Sequence, residues 1–418
     1  MTLYSRAQLW NACLGNLFEH YDMALFGFLS PFLAPLIFPK HEPITALILT
    51  YAMIPLGMLA RPLGSLVFGY IGDVYGRKHA LFLTLTGMAI VSGCMAFIPT
   101  YWQVGMLAPL LFCLGRALQN FLSGGETIGG AIFLLENSSE KRHDLLSGLY
   151  SASTIGGHLL ASFGVYLIGH YWEVDPGWRL LYLFGCVTAL FGCMIRRQLH
   201  IPQTSVKFSQ TLPNLGRIFW IYRKPLLLIA ISAGFASANY AVALVLMNGF
   251  IPLVSALTKT EVMQINSYLL IFDFCALPFF GWLASKVSRE MLMLSASCGV
   301  SLCAIPLFML LDGASLTTVI GVRICFVISG VAFFAPFHAW AQHLIPPAHR
   351  YAVISFGYAL GSQVIGGPMA AISLWCFKKT EMVSSVSWYW VALGLASSLA
   401  IAMTLRYKNK VQNLENIS

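Results

Sequence analysis

Charge is scarce in this chain. Asp, Glu, Lys and Arg supply only 10% of 418 residues, against roughly 25% in an ordinary soluble domain, which excludes a water-soluble globular fold. The strict apolar–polar alternation of a membrane barrel is also missing. None of the ten cysteines forms a Cys-x-x-Cys motif, and all lie in apolar runs. They are expected to be unpaired, small, buried side chains, with no disulfide framework, metal site or cofactor. The polar loops are short and hold neither a nucleophile–base pair nor a metal-ligand motif, so a membrane enzyme is disfavoured.

What is abundant is apolar sequence: 58% of residues are hydrophobic and mean hydropathy is +0.74. Runs of about 20 apolar residues are long enough to cross the hydrocarbon core as helices. Twelve can be placed, near 9–38, 46–71, 79–98, 104–135, 145–170, 178–197, 223–256, 262–285, 290–311, 315–343, 350–377 and 385–407. The fold class is therefore all-α integral membrane, a multi-pass protein whose partner is the lipid bilayer. Arg6 ahead of an apolar run resembles a signal peptide, but Glu19 and Asp22 interrupt that run, so it is expected to stay as the first span. The net charge of +9 does not indicate nucleic acid. Arg77, Lys78, Lys141, Arg142, Arg196, Arg197, Arg350 and most other cations fall on one set of loops, with Lys40, Lys259, Lys378 and Lys379 on the other. That asymmetry is the positive-inside pattern and places both termini in the cytoplasm.

The long basic loop near 199–222 divides the chain into an N-terminal six-helix bundle, 1–198, and a C-terminal one, 223–418. Landmarks recur across it about 210 positions apart, as internal duplication predicts. The charged hinge Gly69–Lys78 answers to Gly281–Glu290, Arg116 to Arg323, and Lys141-Arg142 to His349-Arg350. The second hinge has Ser285 and Ser288 where the first has its acid and a glycine.

Several stretches carry a resemblance: Gly15-Asn-Leu-Phe-Glu-His-Tyr-Asp22, Arg61-Pro-Leu-Gly-Ser65, Gly115-Arg-Ala-Leu-Gln119, Ser123-Gly-Gly-Glu126, Trp178-Arg179 and Phe356-Gly-Tyr-Ala-Leu-Gly361. Together they resemble the major facilitator superfamily, specifically its metabolite:proton symporter branch of proline/betaine and oxo-dicarboxylate carriers. The resemblance runs from the first span to the eleventh. It implies the major facilitator fold, alternating access, and protons as the coupling ion for a small polar solute in a bacterial cytoplasmic membrane. A monomer suffices for that mechanism. The family usually has glycine after the helix 4 glutamine; here it is Asn120.

Ionised side chains at mid-membrane are costly and usually face a cavity or a partner. Glu19 and Asp22 share a face of the first span and, with Glu126, are candidates for proton coupling; a static pair with arginine is the alternative. Arg116, Gln119, Ser123 and Glu126 form one stripe of the fourth span, about 15 Å long, that suits the lining of a water-accessible path or packing between helices. Substrate candidates are Arg61, Arg116, Gln119, Asn120, Ser123, His158, Arg323, Trp340 and Tyr358. Arg61 suits either an anionic solute group or a pairing with the first span, and Trp340 and Tyr358 would suit an aromatic cage. Asp273 is a possible partner of Arg323. Tyr171, Trp172, Trp178, Trp388 and Trp390 read as interfacial anchors. By resemblance, Gly69, Asp73, Gly76, Arg77 and Lys78 form a cytoplasmic gate, with Asp73 docking near Arg350 and Arg77 reaching Glu136. The expectation is a proton-coupled importer of a carboxylate-bearing or zwitterionic metabolite; an uncoupled facilitator or exchanger on the same fold is the alternative.

Overall fold

The computed structural model describes residues 3–74, 77–124, 129–136, 138–171, 174–197, 215–346 and 349–415; for some of these, including Asp73, Arg77, Lys78, Glu136 and Tyr351, only the backbone is described. The described residues are helical almost throughout and contain no strand. Each sequence-predicted span is recovered. Span 1 is α1 (Leu3–Ile37), span 2 is α2 (Pro43–Met58) with α3 (Arg61–Val74), and span 3 is α4 (Arg77–Ala96). After the short α5 (Tyr101–Val104), span 4 is α6 (Leu107–Ser123) with α7 (Gly129–Glu136); span 5 is α8 (His143–Tyr171) and span 6 is α9 (Val174–Arg197). Span 7 runs through α11 (Arg223–Tyr240) and α12 (Met247–Val254), span 8 is α13 (Lys259–Val287), and span 9 is α14 (Arg289–Met309). Span 10 joins α15 (Leu316–Phe334) to α16 (Phe337–His343), span 11 joins α17 (Arg350–Ala359) to α18 (Met369–Thr380), and span 12 is α19 (Trp388–Glu415). Among the described residues, eight helices are long and apolar enough to cross a membrane by length and composition alone.

Local chemistry sets the breaks. Pro62 sits at the second position of α3, where a missing N–H costs nothing, and the helix restarts at Arg61 after a turn at Leu59-Ala60. Thr258 and Glu261 form a reciprocal capping box at the start of span 8: Thr258 N donates to Glu261 Oε2 at 2.8 Å, and Glu261 N donates to Thr258 Oγ1 at 3.2 Å. Ser315 caps span 10 one way only, its Oγ accepting from Thr318 N. Spans 7 and 11 each contain a wider π turn, Ala241–Leu246 and Leu360–Gly366, a feature common at functional sites. The interdomain loop is not wholly irregular: α10 (Leu215–Ile221) occupies its end and stacks Phe219 on Phe356 of span 11 at 4.7 Å.

Among the described residues, the broadest helix contact joins span 5 of the first bundle to span 8 of the second. Gly148 and Gly281 make it possible: a Cβ on Gly148 would lie 2.6 Å from Leu277 O, and one on Gly281 would lie 2.6 Å from Asp144 O. Two expectations need correction here. Trp178 and Trp390 are buried, not interfacial. Arg179 lies 4.3 Å over the Trp178 ring while its Nη1 donates to Ala96 O and Ile98 O, so this pair fastens a loop to the bundle; Trp390 packs edge-on against Phe326. Cys94, Cys275, Cys303 and Cys325 are exposed on the helix surfaces instead of buried, where an apolar outer face readily accepts a small thiol.

Candidate functional site

Span 4 turns its polar stripe into its own bundle. Arg116 Nη1 donates to Gln119 Oε1 at 2.9 Å, Gln119 Nε2 donates to Ser92 Oγ at 3.0 Å, and Ser92 Oγ donates to Asp22 Oδ2. Arg116 also reaches Met23 O at 3.3 Å and lies over the Phe26 ring. A buried guanidinium is thus linked to a buried carboxylate through two neutral side chains. Asp22 Oδ1 has no hydrogen-bond partner among the described residues and abuts span 6 at Gly185, where a Cβ would overlap it. Asn120 folds onto its own helix, donating from Nδ2 to Arg116 O at 2.9 Å, and Ser123 donates to Asn120 O at 3.2 Å.

Glu19 lies one turn earlier, its Oε1 3.3 Å from Arg61 Nη2. Of the two possibilities for Arg61, pairing with span 1 is the one seen. Glu19, Asp22, Thr84 and Ser123 line a cleft with room for about one or two waters, walled otherwise by Phe18, Leu85, Met88, Leu122 and Ala189. Both carboxylates therefore share one small space inside the first bundle. Glu126, Gly76 and the side chains of Asp73, Arg77, Lys78 and Glu136 lie outside the described residues; Gly69 lies within α3.

A second group lines the seam between the bundles. His158 of span 5 packs on Tyr240 of span 7 at 4.6 Å and near His20 of span 1 at 5.6 Å. His20 Nδ1 is 2.8 Å from Asn16 O, and Asn16 Nδ2 donates to Ser153 Oγ and Thr154 Oγ1. His338 of span 10 adjoins Tyr150, Phe334 and Tyr358. Sequence reasoning singled out His158 and Tyr358 but missed Asn16, His20, Tyr240 and His338. The signal for His338 was its four-residue spacing from Phe334, which puts both on one helix face. Tyr240 and Tyr358 each stand just before a π turn. Trp340 points elsewhere: it is buried in the second bundle, with Nε1 3.4 Å from Thr404 of span 12.

Arg323 does not pair with Asp273. Its guanidinium donates to Ala243 O at 3.0 Å, Val262 O at 3.3 Å, Asn248 Oδ1 at 3.2 Å and Asn266 Oδ1. Asn266 in turn donates to Ser162 Oγ across the seam at 3.1 Å. The duplication is visible here. Arg116 ties span 4 to a span 1 carbonyl, and Arg323 ties span 10 to a span 7 carbonyl.

Both ends of the seam are bridged. At one, Arg289 Nη2 meets Asp144 Oδ2 at 3.0 Å and Ser147 donates to Ala335 O at 2.6 Å. Arg350, on the same side, donates from Nε to Gln342 O and Ile345 O at the close of span 10. At the other end Lys378 Nζ meets Glu42 Oε1 at 2.8 Å, and Lys259 Nζ donates to Pro31 O at 2.8 Å. The Lys378 hydrogen bond holds the exposed Glu42 carboxyl below its ordinary value.

Two six-helix bundles joined by a polar seam, with buried charge at mid-span, define a membrane transporter. Residues 13–371 match the Major Facilitator Superfamily model, and the chain belongs to that family. It is 28% identical over 403 residues to a protein of Staphylococcus aureus (strain COL) described as "Putative proline/betaine transporter", covering 93% of this chain and 85% of that one. It is 26% identical over 421 residues to the alpha-ketoglutarate permease of Escherichia coli (strain K12), covering 98% and 96%. Among solved structures, the partially occluded inward-open form of the E. coli xylose transporter XylE superposes with TM-score 0.73 at 15% identity, covering 95% of this chain and 98% of that one. The chain is a multi-pass membrane transporter of small molecules, not an enzyme.

Proposed function

We propose that the chain is a proton-coupled symporter that imports a small carboxylate-bearing or zwitterionic metabolite across a bacterial cytoplasmic membrane, as a monomer, without a cofactor and with both termini inside. The observation that carries the reading is Asp22: a buried carboxylate with one oxygen unpartnered, beside a water-sized cleft shared with Glu19. A carboxylate so placed exchanges a proton with water and couples to the Arg116–Gln119–Ser92 chain. Protonation removes the charge that Arg116 answers, and the chain re-pairs, which biases spans 1, 3 and 4 between two arrangements. The solute sits at the seam among His20, His158, Tyr240, His338 and Tyr358, with Arg61 available to its carboxylate once Glu19 is neutral. Among the seam residues, aromatic faces suit a quaternary nitrogen, in keeping with the proline/betaine description of the staphylococcal relative; the permease relative supports a dicarboxylate equally by name.

The test is proton movement with solute in proteoliposomes, using glycine betaine, L-proline and 2-oxoglutarate. Internal acidification that accompanies solute entry supports symport. Solute flux with no proton movement between about pH 5.5 and 8 would defeat it. An uncoupled facilitator is then the better reading, and the closed Glu19–Arg61 pair is the observation that favours it.

A further inference from the structure

Asp273 lies midway along span 8 on the face turned to the seam. The register is set on both sides of it. Asn266 and Ser267 meet Ser162 of span 5 toward one end, and Leu277 and Gly281 abut Gly148 toward the other. Asp273 is seven residues from Asn266 and four from Leu277, so helical periodicity puts it on their stripe. Its neighbour Phe274 approaches Gly156, two residues before His158 in span 5. Asp273 is only 7% exposed, yet it has no hydrogen bond or ion pair among the described residues. Arg323, the cation whose position best suited it, is engaged by two carbonyls and two side-chain amides. The Tyr240 ring is packed on His158, two residues along span 5 from Gly156.

A carboxyl group in hydrocarbon without a partner is expensive and marks a functional position. No group of three metal-ligating side chains occurs among the described residues. We propose that Asp273 receives the cationic nitrogen of the transported solute, so that the substrate is a zwitterion, an amino acid, imino acid or betaine, and not a dicarboxylate. This rests on the carrier reading above. The chemistry is a buried carboxylate on the same seam as the rings of Tyr240 and Tyr358, a combination that suits a substituted ammonium: the carboxylate answers its charge and an aromatic ring its methylene or methyl groups. The same charge repels a dianion.

The experiment is equilibrium binding to the purified full-length protein by calorimetry, with glycine betaine, L-proline and 2-oxoglutarate as probes. The wild type is expected to bind at least one zwitterion and to prefer it to 2-oxoglutarate. Asp273→Asn should weaken that binding about 10- to 100-fold, and Asp273→Glu should retain an intermediate affinity. Should the asparagine variant fail to fold, the glutamate variant decides: unchanged affinity there overturns the proposal. It is also overturned by a wild type that binds neither zwitterion or prefers 2-oxoglutarate. Unchanged zwitterion binding in Asp273→Asn with loss of proton-driven accumulation overturns it too, because the residue is then a proton carrier. Binding that depends on Asp273 without proton movement defeats symport and leaves this inference standing.

Discussion

Arg289 reaches across the seam to Asp144, Nη2 to Oδ2 at 3.0 Å, and its Nη1 lies 3.4 Å from Ala339 O. Arg289 belongs to the second, degraded hinge, the copy with serines in place of an acid and a glycine. The cytoplasmic gate expected at 69–78 therefore has a counterpart: the worn copy supplies a bridging cation of its own.

Asp144→Asn should favour opening at this end. The pair is mostly buried, with side-chain exposures of 17% and 7%, so its loss should cost the closed state about 1–3 kcal/mol, between an exposed and a fully buried pair. That is roughly a 5- to 150-fold change in population. Thiol labelling of a cysteine introduced near Ser147 should accelerate accordingly; an unchanged rate would leave the pair without a gating role.

The opposite end should respond to acid. Glu42 is held below its ordinary value of 4.5 by Lys378, so its contact is intact above that value and is lost as pH falls through the lower value of the closed state. Cross-linking between Glu42→Cys and Lys378→Cys measures proximity, and the pH series is read on the native pair by spin labels at neighbouring sites. Label distances should stay constant from about pH 5 to 8 and lengthen only in stronger acid. Lengthening near pH 7 would contradict the assignment.

Displacing Asp22 should mimic neutralising it. A Cβ at Gly185 overlaps Asp22 Oδ1, so Gly185→Ala and Asp22→Asn should both reduce pH-driven accumulation, by about tenfold or more, while solute counterflow persists. Wild-type accumulation in Asp22→Asn would remove that carboxylate from the coupling step.

Arg323→Ala should act on stability. It leaves two backbone carbonyls and two amide oxygens without their donor, a loss of about 2–4 kcal/mol. The expected result is a lower melting temperature in detergent, with little change in KM for protein that survives. A large rise in KM at unchanged melting temperature would instead place Arg323 at the solute.

The spans were legible because hydropathy leaves a mark on one helix at a time, and Arg61 was legible as a choice between a solute group and the first span, of which the structure shows the pairing with Glu19. The direction of the span 4 stripe was not. Its spacing shows that Arg116, Gln119 and Ser123 share a face, but only Ser92 and Asp22 on other spans decide that the face turns inward to its own bundle. Ser92 is a single serine in an apolar run and carries no pattern. Asp273 and Arg323 looked like natural partners by opposite charge. Asn248 and Asn266, neutral and unremarked in sequence, satisfy Arg323 first.

Gly148 and Gly281 bring two backbones together with no side chain between them, one turn from the Asp144–Arg289 bridge. Separating that end must admit water to a dry backbone surface that includes Leu277 O. Opening is then a wetting step as much as the rupture of an ion pair. The bridge influences how often the end opens, whereas the glycine contact governs how abruptly it does so: a gap narrower than a water molecule gains nothing, and the seam yields only when a full layer can enter.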